Sequence, residues 1–440
     1  MTASDLYYSK HTKLFDGSKL NQDIMTDVLV IGGGITGLSA ACRLAAQGVN
    51  VILVEASEIG LKTVGRSAGM LTPMAEIDFA SYGQEQINQV VSLSALGLSR
   101  LLKFIKSENL ECQLQSNQGS LSLACSRIQR RHLVEEREIR NKVGMSGNTI
   151  FEADELHKWY NNPHFSGAFF DSNSHSVNPL ALTSEMARLL ERRGGKVYTN
   201  TEIISLNAED RMAYTKDGKR IFFDQAILAQ GISAYNFSLL KSLKNVLISV
   251  ASHIMVTEKI SQEKLDDYFP KRIYPHLWDL KRFFNYSRVT PDNRILFGGG
   301  EVILGGSQAA KNPDLRSKVR KTMERQFSTY FPEIKSNFPY FWGGIVPIPL
   351  DYMPFVGEVA KGITVAAYMQ GINFGFSCGE LVADSVSGAS KIDKDLNEVI
   401  RWDRKLSLPD QLIQKCINSP FANPIVNKYV EYSDRLKIRA

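Results

Sequence analysis

Three glycines and one acid carry the first chemical signal in this chain. In VLVIGGGITGLSAA, Val28 to Ala41, Gly32, Gly34 and Gly37 stand in the spacing G-x-G-x-x-G. That spacing suits a dinucleotide. Gly32 permits a tight turn from strand to helix, Gly34 lets a pyrophosphate approach the backbone, and Gly37 lets the helix pack close to the strand. A helix opening at Ile35 and Thr36 offers free N–H groups and the positive end of its dipole to phosphate oxygens. Glu55, followed by Ala56, lies about 20 residues beyond the glycines, where a carboxylate accepts hydrogen bonds from ribose hydroxyls.

The flanking elements support this. Asp27 to Ile31 is a short β-branched run, the pattern of a buried parallel strand. The helix after the glycines carries Leu38, Ala41, Cys42 and Ala45 on one face, mostly small residues suited to a sheet. Gly48 is its stop signal. VNVILVEA is a second strand that ends on Glu55. A glycine cluster alone could be an ordinary turn, and Glu55 alone an exposed acid; strand, turn, helix, strand and acid in order argue for the nucleotide.

Composition bounds the rest. The chain has 440 residues, 43% hydrophobic and 22% charged, enough for two ordinary globular domains. The formal net charge of +6, from 52 basic and 46 acidic residues, is a mild excess. The basic cluster Gln129–His132 sits beside acids, as on a solvated helix, so no nucleic-acid partner is expected. The polar N-terminus lacks a signal-peptide core, and no stretch approaches the roughly 20 apolar residues of a membrane span. A soluble cytoplasmic protein is expected. The five cysteines, at 42, 112, 125, 378 and 416, are scattered with no metal spacing, so neither disulfides nor a metal is expected.

Along the chain, elements suggest interleaved domains. Residues 85 to about 165 look helical, broken by a strand-like pair near GSLSLACS. SVNPLALTSEMARLLERRGGKVYTNTEIISL reads as turn, helix, stop and strand, and FFDQAILAQG as another buried strand. Short strands return from about 247 to 342, and the chain then gives strand, glycine-containing loop and helix.

Five blocks together resemble the D-amino-acid-oxidase-type FAD-dependent oxidoreductases. They are the glycine turn with Glu55; GRSAGM, Gly65 to Met70, similar to the family's loop beside the flavin; the "V-N-P" turn with its helix and strand; FWGGIVPIPLDYMPFVGEV, with Asp351, Pro354 and Gly357; and MQGINFGFSCGELVAD, similar to a "G-H-G" loop whose helix points at the flavin. Paired tyrosines Tyr7 and Tyr8, with NYSRVTPDNRILFGGGE, resemble the γ-glutamylputrescine oxidase-like and glycine–sarcosine oxidase-like branches. The resemblance implies an α/β fold: a Rossmann-like FAD domain of the glutathione-reductase type (1–84, 166–246, 343–440) interleaved with an antiparallel-sheet α+β substrate domain (85–165, 247–342). Two departures stand out. Gln370 replaces a frequent histidine. Gly343, Gly344 and Ile345 stand where some members tie the flavin to a cysteine, so a non-covalent FAD is expected.

The reaction so implied is hydride transfer from a carbon bearing nitrogen to the flavin, giving an imine. The resemblance assigns cofactor contacts to Arg66, Ser67 and Ala68 in the second block, to Ile203, Ala229 and Gly231 around the adenosine, to Gly344, and to Gly371, Ile372, Asn373, Phe374 and Gly375 in a loop opening a helix at about Ser377. Tyr286, Phe284 and Phe341 are candidate walls, and Tyr368 and Met369 could line the flavin. Arg288 is the candidate cation for a substrate carboxylate, by paired hydrogen bonds; its alternative is an exposed edge-strand arginine, and that of Arg66 a surface charge. His175 and His253 are the histidines nearest a site, each with a structural reading open. An amine or amino-acid substrate is expected. A 2-hydroxy-acid dehydrogenase and a non-catalytic flavin subunit of a larger complex stay open, and the oligomeric state is unreadable.

Overall fold

A computed structural model of the chain describes residues 6–73, 84–142, 144–281, 283–300, 303–304, 313–349, 351–368 and 371–404. Two sheets organise them. The first has five parallel strands, in spatial order Ile363–Ala367, Arg220–Leu228, Ile24–Ile31, Val51–Val54 and Lys196–Tyr198. Phe355–Ala360 adds an antiparallel edge. The first strand in sequence lies centrally, with its chain successors on opposite sides. Such a sheet opens a crevice at the carboxyl end of that strand, where the order reverses. Val28 to Ile31 are all buried, because helices Ile35–Ala46, Pro179–Arg192 and Ile372–Val386 cover one face and further apolar packing covers the other.

The second sheet follows the path 303–304, Leu247–Val256, Ile295–Gly299, Asn285–Val289, His276–Asp279, Ser120–Ala124, Gly167–Asp171 and Asn148–Glu152, with Tyr340–Pro349 also paired to Leu247–Val256. Every pairing is antiparallel except His276–Asp279 with Ser120–Ala124. Its own core lies under helix Pro313–Tyr330.

Two boundaries differ from the expected division. Gly167–Asp171 and Tyr340–Pro349 belong to the second sheet, although 166–246 and 343–440 were assigned to the nucleotide domain. Hydrogen bonding to Ser120–Ala124 and Leu247–Val256 decides their membership, and such long-range pairing leaves no mark in local sequence. The expected strand pair near GSLSLACS is likewise one strand, whose partner is Gly167–Asp171.

Candidate active site

The glycine turn is built as its residue types require. Gly32 has φ +119°, and its N–H donates to the Val54 carbonyl at 2.8 Å. A Cβ there would stand 2.5 Å from the Ala229 carbonyl oxygen. On Gly37 a Cβ would stand 2.0 Å from the Gly32 oxygen, so only glycine lets this helix seat on its own turn. Gly34 differs: a Cβ would meet nothing within 4 Å, because the position faces open space. It precedes helix Ile35–Ala46, which has neither a side-chain cap nor an acid in its first turn. That leaves an anion-attracting terminus.

Glu55 follows strand Val51–Val54 and is buried. Its carboxylate accepts the Gly33 N–H at 2.8 Å, the Ser57 N–H at 2.9 Å and the Ser57 hydroxyl at 2.8 Å. These bonds lock the acid to the turn that it serves.

A cavity of about 360 Å³ runs from this turn toward the C-terminal helix. Among the sequence candidates, Gly32, Gly34, Ile35, Thr36, Glu55, Ala56, Ser67, Ile203, Ala229, Gly231, Tyr368, Gly371 and Ile372 line it. Helix Ile372–Val386 opens at Gly371 (φ +88°), again with no side-chain cap and no acid in its first turn. Two uncapped helix N-termini therefore meet one cavity. The helix starts at Ile372 and not near Ser377: the Gly375 N–H donates to the Gly371 carbonyl at 3.0 Å, closing a first turn where a loop was expected.

Other candidates fall behind or beside this wall. Asn373 is buried, and its amide donates to the Thr72 and Ser94 carbonyls, both at 3.0 Å. Phe374 lies in the first core. Arg66 donates to the Leu61 carbonyl (3.0 Å) and the Gly343 carbonyl (3.2 Å), and its side chain lies against Gly344. Ala68 and half-buried Tyr286 pack with Trp342 and Ile254 at the junction of the two units. Burial pushes the Tyr286 phenol above its ordinary pKa. Phe341 does not join Tyr286. The pleat turns it to the opposite face, where its ring stacks on His253 with centroids 5.4 Å apart. Burial, helped by the charge of Arg316, pushes His253 down to about 4. Met369 and Gln370 lie outside the described residues.

Arg288 is neither exposed nor open to a substrate. It is 3% exposed, and its guanidinium donates to five protein acceptors: Ala68 O, Gln115 Oε1, Ser176 Oγ, Val177 O and Tyr8 Oη. A guanidinium has five N–H donors, so a carboxylate would have to displace a bond already made. Gln230, in the segment Ala229–Gly231 expected to close over the adenosine half, lines the cavity too, as do Thr201, Val346 and Pro347, to which the sequence assigns no contact. Val346 and Pro347 arrive by strand pairing and carry no local sign.

The residues fit an adenine dinucleotide. The phosphate end has an open glycine and an uncapped helix, and on the cavity wall the buried Oε1 of Gln230 has no protein partner. Among the described residues, no group of three His, Cys, Asp or Glu could hold a metal. No described helix is long and apolar enough to cross a membrane.

Fold and cavity thus define a nucleotide-binding protein with a second, sheet-based domain. Residues 27–385 match the family model described as FAD dependent oxidoreductase, DAO, and the chain belongs to that family of FAD-dependent enzymes. It is 27% identical over 405 residues to gamma-glutamylputrescine oxidoreductase of Escherichia coli (strain K12), covering 90% of this chain and 91% of that protein. It is 22% identical over 396 residues to glycine oxidase of Bacillus subtilis (strain 168), covering 86% and 97%. Among solved structures, glycine oxidase from Geobacillus kaustophilus superposes with a TM-score of 0.75 at 18% identity, covering 87% of this chain and 100% of that one. At that identity the likeness speaks for the fold.

Proposed function

We propose that this chain oxidises a C–N bond of an amino acid or of a primary or secondary amine, using a dissociable FAD held in the cavity described above. The observation that carries this reading is the pair of uncapped helix N-termini, before Ile35 and before Ile372, at one cavity. The names of the relatives, which include an oxidoreductase of gamma-glutamylputrescine and oxidases of glycine, support an amine or amino-acid substrate.

FAD, when bound, supplies the acceptor for hydride leaving the carbon next to nitrogen. The chain's residues hold and orient. The Gly32–Gly37 turn and the start of its helix receive the paired phosphates. Glu55 accepts ribose hydroxyls while keeping its bond to Gly33. The N–H groups at the start of helix Ile372–Val386 would bring positive dipole ends to the other end of the cavity and stabilise negative charge on a cofactor held there. Tyr286 and Phe284, ring centroids 6.2 Å apart, stand outside the cavity lining, on the strand that also carries Arg288 and on the segment just before it.

Anaerobic mixing of the purified, FAD-loaded protein with panels of amines, amino acids and 2-hydroxy acids tests this. Loss of visible flavin absorbance with an amine or amino acid is the expected result. Bleaching by hydroxy acids alone would sink it, as would no bleaching by any member. Acid denaturation should release the yellow colour from the chain, whereas colour kept on the precipitate would overturn the non-covalent reading. A cytoplasmic location and independence from nucleic acid belong to the same proposal and rest on composition.

A further inference from the structure

We infer that Tyr8 and Arg288 are positioning residues that fix the loop Arg66–Gly69 as a rest for the reactive end of the cofactor. The inference depends on the FAD-binding reading above. Its ground is a run of four successive backbone carbonyls, each taken by a donor from a different part of the chain. The indole N–H of Trp342 donates to Arg66 O at 3.0 Å. The Tyr8 hydroxyl donates to Ser67 O at 3.0 Å. Arg288 Nε donates to Ala68 O at 2.7 Å. The Val177 N–H donates to Gly69 O at 2.9 Å.

Unrelated segments thus converge on four residues. Trp342 comes from strand Tyr340–Pro349, Tyr8 from the 3-10 turn Tyr7–His11, Arg288 from strand Asn285–Val289, and Val177 from the segment before helix Pro179–Arg192. A loop whose carbonyls are all bound cannot shift without breaking several bonds in a buried setting, each break leaving an unsatisfied polar group.

Two features make this more than packing. The loop is part of the site: Ser67 lines the cavity, and the Arg66 side chain lies against Gly344. The clamp is also built into the second sheet. Arg288 and Tyr286 stand two apart on one strand and so share a face, and Tyr286 packs in the cluster that holds Ala68 and Tyr8. The strand that carries Tyr286 therefore also grips the cofactor loop.

Arg288 is suited to gripping and not to capturing an anion. None of its five acceptors is a carboxylate, so its buried charge is met by carbonyl, amide and hydroxyl dipoles alone. Tyr8 bridges the system, donating to Ser67 O and accepting from Arg288 Nη2 at 3.4 Å. Burial pushes its phenol upward, which keeps it the protonated donor that Ser67 O needs. The paired tyrosines of the leader thereby gain a use: Tyr8 holds the loop, and Tyr7 bonds Asp292 in the turn after strand Asn285–Val289.

The test uses the full-length FAD-loaded protein and the variants Tyr8→Phe, Arg288→Lys and Arg288→Met. The readouts are the FAD dissociation constant, the visible absorption and circular dichroism of bound FAD, and separate kcat and KM values for the best substrate of the panel. We expect Arg288→Met to weaken FAD roughly 30-fold and Tyr8→Phe roughly threefold, kcat falling in step and KM moving less than about threefold. The visible dichroism should shift in both, and Arg288→Lys should restore part of the loss. Arg288→Met with unaltered spectra and FAD affinity, but a KM raised only for carboxylate-bearing substrates, would overturn the inference and return Arg288 to the substrate. Should Arg288→Met fail to fold, Tyr8→Phe decides, since it loses only a hydroxyl; unchanged spectrum, affinity and kcat there would also overturn it. Wild-type protein that binds no FAD would instead sink the reading of the cavity.

Discussion

Gly379 presses on Thr36: a Cβ added to Gly379 would stand 2.4 Å from the Thr36 carbonyl oxygen and 2.7 Å from the Ser39 Cβ. The two helices whose N-termini face the cavity are thereby held in contact within a turn or two of those termini. Ser39 Oγ donates to the Phe376 carbonyl across the same crossing, at 2.7 Å. Gly379→Ala has backbone on the far side and cannot be relieved by a rotamer change. It should destabilise the protein by about 1–3 kcal/mol, the usual cost of overpacking. Because the helix starts move with the crossing, FAD affinity should fall with the melting temperature. Thermal melting and FAD titration of one preparation would show both; loss of neither would mean that the contact is slack.

Gly34 and Gly37 separate binding from folding. Gly34→Ala places a methyl in open cavity space at a φ of −86°, which alanine tolerates. The apoprotein should melt within about 1 kcal/mol of wild type, the scale of ordinary glycine-to-alanine effects. FAD affinity should drop at least about tenfold as the methyl holds the pyrophosphate off the backbone. Gly37→Ala should do the reverse in order of severity, since its Cβ would meet Gly32 O at 2.0 Å. Equal losses of apoprotein stability in the two variants would contradict this division.

Glu55 serves the turn before it serves a ligand. In Glu55→Gln one acceptor oxygen becomes an NH₂ group, which cannot accept from Gly33 N–H or from Ser57. A buried donor would then face a donor, at a cost of about 1–3 kcal/mol. The expected result is a roughly 10- to 100-fold weaker FAD complex, by the same arithmetic of 1.4 kcal/mol per decade. Fluorescence titration measures it, and wild-type affinity in the variant would remove Glu55 from the site.

The glycine turn and Glu55 were legible in sequence because their work is local. Gly32, Gly34 and Gly37 act on atoms of the same strand–turn–helix unit or its neighbouring strand, and spacing encodes that. The C-terminal helix was recognised but opened five residues late, since INFGFSCG reads as a loop by glycine content. Close packing explains the small residues at its crossings: its Gly379 faces Thr36, and Gly97 of helix Gln84–Ser107 makes room for its Ser377. Arg288 was the most misleading residue. An arginine on a short strand reads as a free cation, and the five acceptors that occupy it come from sequence positions 8, 68, 115, 176 and 177. No local pattern reports such a convergence.

Two buried histidines should make the fold acid-sensitive. His276 is pushed down to about 3, by burial first and then by the fixed charge of Arg288; His253 is pushed down to about 4 by burial, helped by Arg316. His276 Nε2 lies 3.2 Å from Gln118 Oε1, while its buried Nδ1 has no partner, so the neutral Nε2–H form suits the site. An unfolded histidine titrates near 6.5. Below that pH the unfolded chain binds protons that the folded chain refuses, so the stabilisation present above pH 6.5 is lost as pH falls toward the folded values. The loss is about 1.4 kcal/mol per pH unit for each group, or about 2 kcal/mol each by pH 5. His276→Gln should keep a polar side chain beside Gln118 and remove one proton from the uptake on unfolding. Denaturant unfolding between pH 7 and pH 5 should then show a slope of stability against pH that is shallower by about one proton than in wild type. An unchanged slope would mean that His276 is charged, or solvated, within the fold.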